Sequence, residues 1–477
     1  MKLGFSKPAA LLAALLIFNF AWADDMPRAD PEDVGLSSER LERFSAEMEK
    51  GVEAGHFPGA VAAVARNGEI AFFESYGWRD KEAGLPMEDD CIFRIASMTK
   101  AITGVAVMIL FEEGHFSLKD PVSKYIPAFK DSRVLVGGVA VPGKSDKSKD
   151  KKDWSQADLD RWLKENWDTL SDEEKQKWTD YYAANGKGDG KGKGKGKNAL
   201  TETWEDAETV PADRPITIRD LLRHTAGISY AMGDIWADGD DLGQMIDKLA
   251  AQPLKSQPGT RFEYGLSMDV LARLVEVVSG QSFDVFIKER IFDPLDMKDT
   301  GFWVPKEQAE RLVKMKQEKS DDKGSKKGMY ESTYLQPPVV LMGGMGLVST
   351  TMDYLRFCQM LLNDGELDGE RILGRKAVEL MHANHMNDVA EKSTFKAMVG
   401  EFQFGLTFGV KGEPGNRGEL GSEGTYYWGG AYGTTFWIDP NENLVGVFMV
   451  NGLTDDKSYD RPYTIMLEHF TYQAIVD

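Results

Sequence analysis

The sequence predicts an α+β protein: an antiparallel sheet built from segments near both ends of the chain, with a mainly helical region inserted between them. Three observations carry that expectation. Apolar runs separated by tight-turn residues follow residue 58 and return after residue 403. Helical spacing dominates between them. Two stretches of foreign composition, 142–206 and 314–328, interrupt the plan without altering it.

Residues 1–23 have the make-up of an export signal. Lys2 and Lys7 give a positive start, Ala9 to Trp22 is mostly apolar but short for a membrane span, and Ala21-Trp22-Ala23 is a small-x-small cleavage site. Cleavage after Ala23 would release a periplasmic or secreted protein. No stable membrane insertion is expected after signal removal, because no other segment approaches ~18 unbroken apolar residues.

The region 34–475 reads as one domain. Gly59 to Gly77 is a hairpin, with Ala60 to Ala65 running up, a turn at Arg66-Asn67-Gly68-Glu69, and Ile70 to Tyr76 running back. Ile92-Phe93-Arg94-Ile95-Ala96 leads into a helix over Ser97 to Glu113, with Ile102, Val105, Ile109 and Leu110 on one face and Gly114 ending it. Residues 211–300 carry amphipathic stretches, the clearest from Met268 to Val278 with Gly280 just beyond. Strand patterns return at Phe404 to Phe408, Thr434 to Ile438 and Leu444 to Val450. A last helix covers about Arg461 to Ile475.

The two foreign stretches read as surface insertions. The first has capping-box starts at Ser155-x-x-Asp158 and Ser171-x-x-Glu174, an aromatic group (Trp154, Trp162, Trp167, Trp178, Tyr181, Tyr182) and a Gly/Lys run with nothing to bury. The aromatic group reads first as packing within a small appendage, and second as a lid or carbohydrate-binding patch. The net charge of −20 lacks the basic surface that phosphate recognition needs, so no nucleic-acid partner is expected. An oxidising compartment would permit Cys91 and Cys358 to pair, but the default for each is a buried small hydrophobe.

The Ser-x-x-Lys spacing places both side chains on one helical face, where an ammonium lowers the cost of forming a serine alkoxide. The spacing occurs at Ser97/Lys100, Ser148/Lys151, Ser320/Lys323 and Ser393/Lys396, so it selects nothing alone. Ser97 begins a long apolar helix directly after a strand-like run; the other three do not. Tyr264 follows a Pro-Gly turn and precedes a helix, which lets a loop hold its hydroxyl at a cleft. Gly429 and Gly430 permit close backbone approach to a ligand.

Phe93-Arg94-Ile95-Ala96-Ser97-Met98-Thr99-Lys100 resembles the nucleophile motif of the serine β-lactamase-like and penicillin-binding protein superfamily. Leu221-Leu222-Arg223-His224-Thr225-Ala226-Gly227, Pro258 to Tyr264, and Gly343 to Thr350 are similar to later motifs of that superfamily. Trp428-Gly429-Gly430-Ala431 is similar to the third motif of its esterase branch, the family VIII carboxylesterases. The resemblance implies a β-lactamase-like fold, with the active site between a helix-flanked antiparallel sheet and a mainly helical subdomain. It implies Ser97 as nucleophile, Lys100 and Tyr264 as its base, and the amides of Ser97 and Ala431 as oxyanion donors.

Two departures bear on substrate. Leu266 stands where Tyr-x-Asn or Tyr-x-Ser is usual, and Trp428 stands where a Lys or His commonly meets a substrate carboxylate. Leu266, Trp428, Gly429 and Gly430 are therefore expected at the substrate site, as an apolar rim suited to neutral esters. The first reading is a carboxylesterase. The alternatives are a β-lactamase or D-alanyl-D-alanine carboxypeptidase-like enzyme, and a catalytically silent binding protein using the Trp-rich insertion. The expected partner is a small-molecule ester or β-lactam-like substrate, with no metal or organic cofactor. Gly138 to Ser145 fits a phosphate-loop pattern but no helix follows it, and His382-x-x-His385 has no further ligand set.

Overall fold

Asn67 and Gly68 both take left-handed φ values, 56° and 85°, as a two-residue hairpin turn of primed type requires. Strand β1 (Gly59–Arg66) therefore folds directly back as β2 (Glu69–Asp80). In this computed structural model the described residues are 26–136, 208–230, 235, 239–315, 333–389, 403–452 and 463–477. The expected export signal, the interior of the 142–206 insertion with its aromatic group, most of 314–328, the Gly138 to Ser145 pattern, and the Ser148, Ser320 and Ser393 motifs lie outside them.

Eight antiparallel strands form the main sheet. Beyond β2 lies β3 (Leu85–Pro86). On the other side of β1 the order runs through β12 (Leu444–Val450), β11 (Thr435–Asp439), β10 (Tyr426–Gly429), β9 (Gly409–Val410) and β8 (Gln403–Phe404). The pairing of β1 with β12, from Ala60 opposite Val450 to Arg66 opposite Leu444, joins the two distant parts of the chain. Because β1 is central, all of its residues are buried. Its side chains divide with a period of two: Ala60, Ala62 and Val64 enter one hydrophobic cluster, and Val61, Ala63 and Ala65 enter the other. Val445, Val447 and Met449 of β12 face the same way as the second set, while Leu444, Phe448 and Val450 face the first.

Helix α1 (Ser38–Glu53), through Leu41, Phe44 and Met48, and α6 (Tyr463–Ala474), through Met466 and Leu467, cover the first face. The opposite face is covered by α5 (Thr351–Leu362), and α2 (Thr99–Glu112) and α4 (Ser267–Ser279), packed on each other, belong to the same hydrophobic cluster. This is an α+β fold, an antiparallel sheet covered by helices on both faces. Expectation and structure differ at two elements. Helix α2 begins at Thr99 and is buried on every side from Thr99 to Leu110, not on one face, because it is the central helix of the layer. Phe404 to Phe408 is not a strand. Its middle is the turn between β8 and β9, with Thr407 at φ 80° and the amides of Leu406 and Thr407 bonded to the carbonyls of Met381 and Leu222.

Strands β5 (Arg133–Leu135) and β6 (Thr209–Pro211) pair with Leu135 opposite Thr209, so the chain between them leaves and re-enters at neighbouring points. Cys91 and Cys358 are buried free thiols, and burial raises both pKa values. No helix among the described residues is long and apolar enough to cross a membrane.

Gly446 of β12 lies under the Trp437 indole, and a Cβ there would fall within the ring. Gly446→Ala is expected to lower stability by about 1–3 kcal/mol through overpacking, read as a lower urea midpoint at unchanged m-value.

Candidate active site

Ser97 is placed by a short paired strand and a sharp change of direction. Strand β4 (Phe93–Arg94) pairs with β7 (Val348–Ser349), and the Ile95 amide donates to the Leu347 carbonyl. Ala96 then adopts φ 44°, rare for a residue with a side chain, and a single 3₁₀ turn over Ala96–Met98 carries Ser97 into α2. Tyr354 of α5 fixes this turn by donating its hydroxyl to the Met98 carbonyl at 2.9 Å. Such strain, held by surrounding bonds, is a feature of functional turns.

One helical turn on, Lys100 is 1% exposed. Its ammonium donates to Ser97 Oγ at 3.1 Å, to the Tyr230 hydroxyl at 3.2 Å and to the Gly344 carbonyl at 2.6 Å. An ammonium has three hydrogens, and these acceptors, with Tyr264 as a further hydrogen-bond partner, satisfy them. Nζ also lies 4.8 Å from the centroid of the Tyr264 ring, within cation–π range. Burial pulls the lysine pKa down, but Tyr264, Tyr230 and the Asp269 carboxylate outweigh it and hold the pKa above the ordinary lysine value. Lys100 is thus a cation at neutral pH.

Tyr264 is held on several sides. Trp428 Nε1–H donates to its hydroxyl at 3.1 Å, and the Glu263 amide donates to the His224 carbonyl at 2.7 Å. The following Gly265 packs on the backbone of Ile228 and Ser229, where a Cβ would collide. The same contact anchors the segment leading to Tyr230. Tyr230 is absent from the residues the sequence singled out, although it lies three positions after the Gly227 that ends a recognised motif. Burial raises its pKa against the opposing pull of Lys100.

Asp269, in the first turn of α4, is a second residue that spacing did not reveal. It is fully buried, accepts the Gly344 amide at 3.0 Å through Oδ1, and leaves Oδ2 without a hydrogen-bond partner among the described residues. Burial raises its pKa to about 6, against the lowering effects of that amide and of Lys100. A Cβ on Gly343 would strike the Met268 carbonyl, and one on Gly344 would lie 2.9 Å from Asp269 Oδ2. Two glycines are what allow this loop to lie on α4 and aim a carbonyl at Lys100. Thr103 of α2 completes the tie by donating to the Gly343 carbonyl at 2.7 Å.

Trp428 and Gly429 end β10, and the Gly430 amide turns back to the Thr434 carbonyl at 2.7 Å. A Cβ on Gly430 would come within 2.5 Å of the Ile95 carbonyl, so this strand end abuts the turn carrying Ser97. Ala431 is exposed at that end. Two of the side chains expected at an apolar rim are buried. Trp428 is 7% exposed and directs its N–H to Tyr264; Leu266, at the N-cap of α4, is 2% exposed and belongs to the main hydrophobic cluster. His382 stacks on Tyr426, and His385 bonds Arg219 and the Leu380 carbonyl. No group of three or more potential metal ligands occurs among the described residues.

The turn bearing His224 and Tyr230 follows a short helix, α3 (Ile218–Leu222), braced by buried charge. Asp220 accepts both arms of the Arg214 guanidinium, with Arg223, Thr217 and Thr225 around it. Burial alone would raise the Asp220 pKa, but these donors hold it below the usual carboxylate value.

The family model described as Beta-lactamase matches residues 44–145 and 157–469. A Mycobacterium tuberculosis protein is 30% identical over 432 residues, covering 87% of this chain and 91% of the relative. The esterase EstB of Burkholderia gladioli is 25% identical over 483 residues, covering 93% of this chain and 98% of that one. Among solved structures, EstCE1, described as a hydrolase with promiscuous acyltransferase activity, is similar with a TM-score of 0.65 and 20% identity, covering 91% of this chain and 99% of that one.

Asp269 gives a pH test of this geometry. Its folded pKa, about 6, lies above the ordinary value of 3.8, so the folded state binds the extra proton between those values. The carboxylate therefore destabilises the fold progressively as pH rises from about 4 to 6, and by roughly 3 kcal/mol above that. Asp269→Asn keeps an acceptor for the Gly344 amide. It is expected to unfold at higher urea than the native chain at pH 7–8, with the advantage shrinking toward zero near pH 4. An advantage independent of pH would show that the carboxylate charge is not its cause.

Proposed function

The chain belongs to the Beta-lactamase family, a serine hydrolase family with esterase relatives, and from that premise we propose that it cleaves neutral carboxylic esters through an acyl-enzyme on Ser97. The observation that carries this reading is the Lys100 ammonium shared among Ser97 Oγ, Tyr230 and the Gly344 carbonyl, with Tyr264 alongside. A lysine held cationic is not the proton acceptor. That role falls to Tyr264, whose oxygen already receives the Trp428 N–H.

Acylation starts with Tyr264 as phenolate. Ser97 Oγ attacks the ester carbonyl carbon and passes its proton to the Tyr264 oxygen. The carbonyl oxygen takes up the negative charge and is received by the amides of Ser97 and Ala431, each such donor worth about 2.7–4 kcal/mol in the transition state. The tetrahedral species collapses, the carbon–alkoxy bond breaks, and Tyr264 returns the proton to the departing alcohol. Water then attacks the acyl carbon, gives its proton to Tyr264, and releases the acid as Ser97 Oγ recovers that proton. Neither half-reaction calls for a metal.

Neutral esters are favoured over β-lactams because the position that would bring a cation to a substrate carboxylate holds a buried indole. The sequence relative named as an esterase supports the same choice. Export through the 1–23 segment fits an extracytoplasmic hydrolase and rests on that segment's residue pattern.

Ser97→Ala is expected to reduce hydrolysis of short-chain p-nitrophenyl esters by at least about 10³-fold. Full activity in that variant would remove Ser97 from the mechanism, and rapid cephalosporin cleavage with negligible esterase activity would reverse the substrate assignment. Trp428→Phe keeps a ring and loses the N–H. It should lower kcat about 10- to 150-fold with little change in KM, since a hydrogen bond to a charged oxygen is worth about 1.5–3 kcal/mol. A change confined to KM would return Trp428 to substrate binding.

A further inference from the structure

His224 is the most conspicuous polar side chain that the reaction scheme leaves unused. It is completely buried, and neither ring nitrogen has a hydrogen-bond partner among the described residues. Aromatic rings surround it: Tyr264 with centroids 4.8 Å apart, then Phe262 at 5.8 Å and Phe404 at 5.9 Å. A phenylalanine would fill such a site without burying an unpaired polar group, so packing does not account for an imidazole. The residue also sits at φ 55°, and its carbonyl holds the amide of Glu263 next to Tyr264. Backbone and ring thus both bear on the proposed base.

The imidazole is uncharged. Burial and, after it, the nearby Lys100 cation drive its pKa well below 6.5. A neutral imidazole has one N–H, and with no nitrogen or oxygen partner among the described residues the surrounding aromatic rings are the surfaces left to receive it. The nearest such surface is the ring of Tyr264, and a phenolate ring is a better acceptor than a phenol ring because part of the charge is delocalised into it.

We propose that His224 is a positioning residue for the ester hydrolysis described above, its neutral N–H supporting negative charge in the Tyr264 ring without placing a second cation beside Lys100. The inference rests on the assignment of Tyr264 as base. Three groups meet Tyr264 from different elements: Lys100 of α2 over one face, Trp428 of β10 at the oxygen, and His224 at the ring. Tyr230 lies with its ring centroid 5.7 Å away, Asp269 adds a carboxylate acting on both Lys100 and Tyr230, and Glu263 precedes Tyr264 in the chain.

The test compares His224→Phe, which keeps the volume and removes the donor, with His224→Gln, which keeps an N–H. The full chain is assayed with p-nitrophenyl butyrate from pH 5 to 9.5, with Tm measured in parallel. For His224→Phe we expect a Tm equal to or above the native value, KM within twofold, kcat down about 2- to 5-fold, and the ascending limb of kcat/KM displaced upward by about half a pH unit. His224→Gln should return that limb toward its native position. If His224→Phe does not fold, His224→Met supplies the same reading. A native limb and kcat in His224→Phe, or equal impairment in both variants with matching losses in Tm, would show that the ring acts by shape alone and overturn the proposal. Tyr264→Phe serves as the control: its full activity would remove Tyr264 as base. A dead Tyr264→Phe beside an unaltered His224→Phe would remove only the role given to His224.

Discussion

A single buried ammonium sets the terms for the surrounding structure. Isolated in a dry interior, a charged lysine is strongly unfavourable, and no carboxylate makes a direct ion pair with Lys100 among the described residues. Its stabilisation comes instead from a serine hydroxyl, a phenol, a backbone carbonyl and a ring face on four separate segments. Backbone must reach the charge where a side chain would not fit. Gly343 and Gly344 let one loop lie on α4, and Gly265 lets the Tyr264 segment lie on the approach to Tyr230. The glycines follow from the position of the ammonium.

The parts legible in the sequence are those with a local cause. The β1–β2 hairpin was visible because Asn67-Gly68 specifies its turn, and Leu444 to Val450 because both faces of that strand are buried. Phe404 to Phe408 reads as another strand, since Phe404, Leu406 and Phe408 alternate with Gly405 and Thr407. The turn is imposed by the carbonyls of Met381 and Leu222, which no local pattern announces. Ser97, Lys100 and Tyr264 stood out through motif context, and the structure brings them together. Tyr230, Asp269 and His224 did not, because their relation to Lys100 and Tyr264 exists only after distant segments pack. Trp428 was noticed for a different reason: the side chain expected to face substrate turns its N–H to Tyr264.

Two buried carboxylates show where the fold accepts instability. Asp220 is surrounded by guanidinium and hydroxyl donors, which keep its pKa below the usual range, so its charge supports the fold at neutral pH. Asp269 has one amide partner and a bare oxygen, and its pKa is raised to about 6. If stability alone governed both positions, Asp269 would be an apolar or amide residue. It lies instead behind the carbonyl that holds Lys100, where its charge sustains the cation through space. Among the described residues Asp269 and His224 both keep buried polar atoms without a hydrogen-bond partner beside Lys100 and Tyr264, as expected when a site gives up stability for electrostatic arrangement.

That arrangement also bears on which substrates the site suits. Lys100 is already surrounded by acceptors of this chain, Ser97, Tyr230, Gly344 and Tyr264. A second cation at position 428 could have served a substrate carboxylate, but it would also have stood near Lys100 at the cost of mutual repulsion in a low-dielectric interior. An indole removes that repulsion and still donates one hydrogen bond to Tyr264. In the proposed mechanism the exchange retains support for Tyr264 and gives up a cation for substrate charge. The absence of a cation at this position is the basis for proposing neutral esters rather than charged substrates.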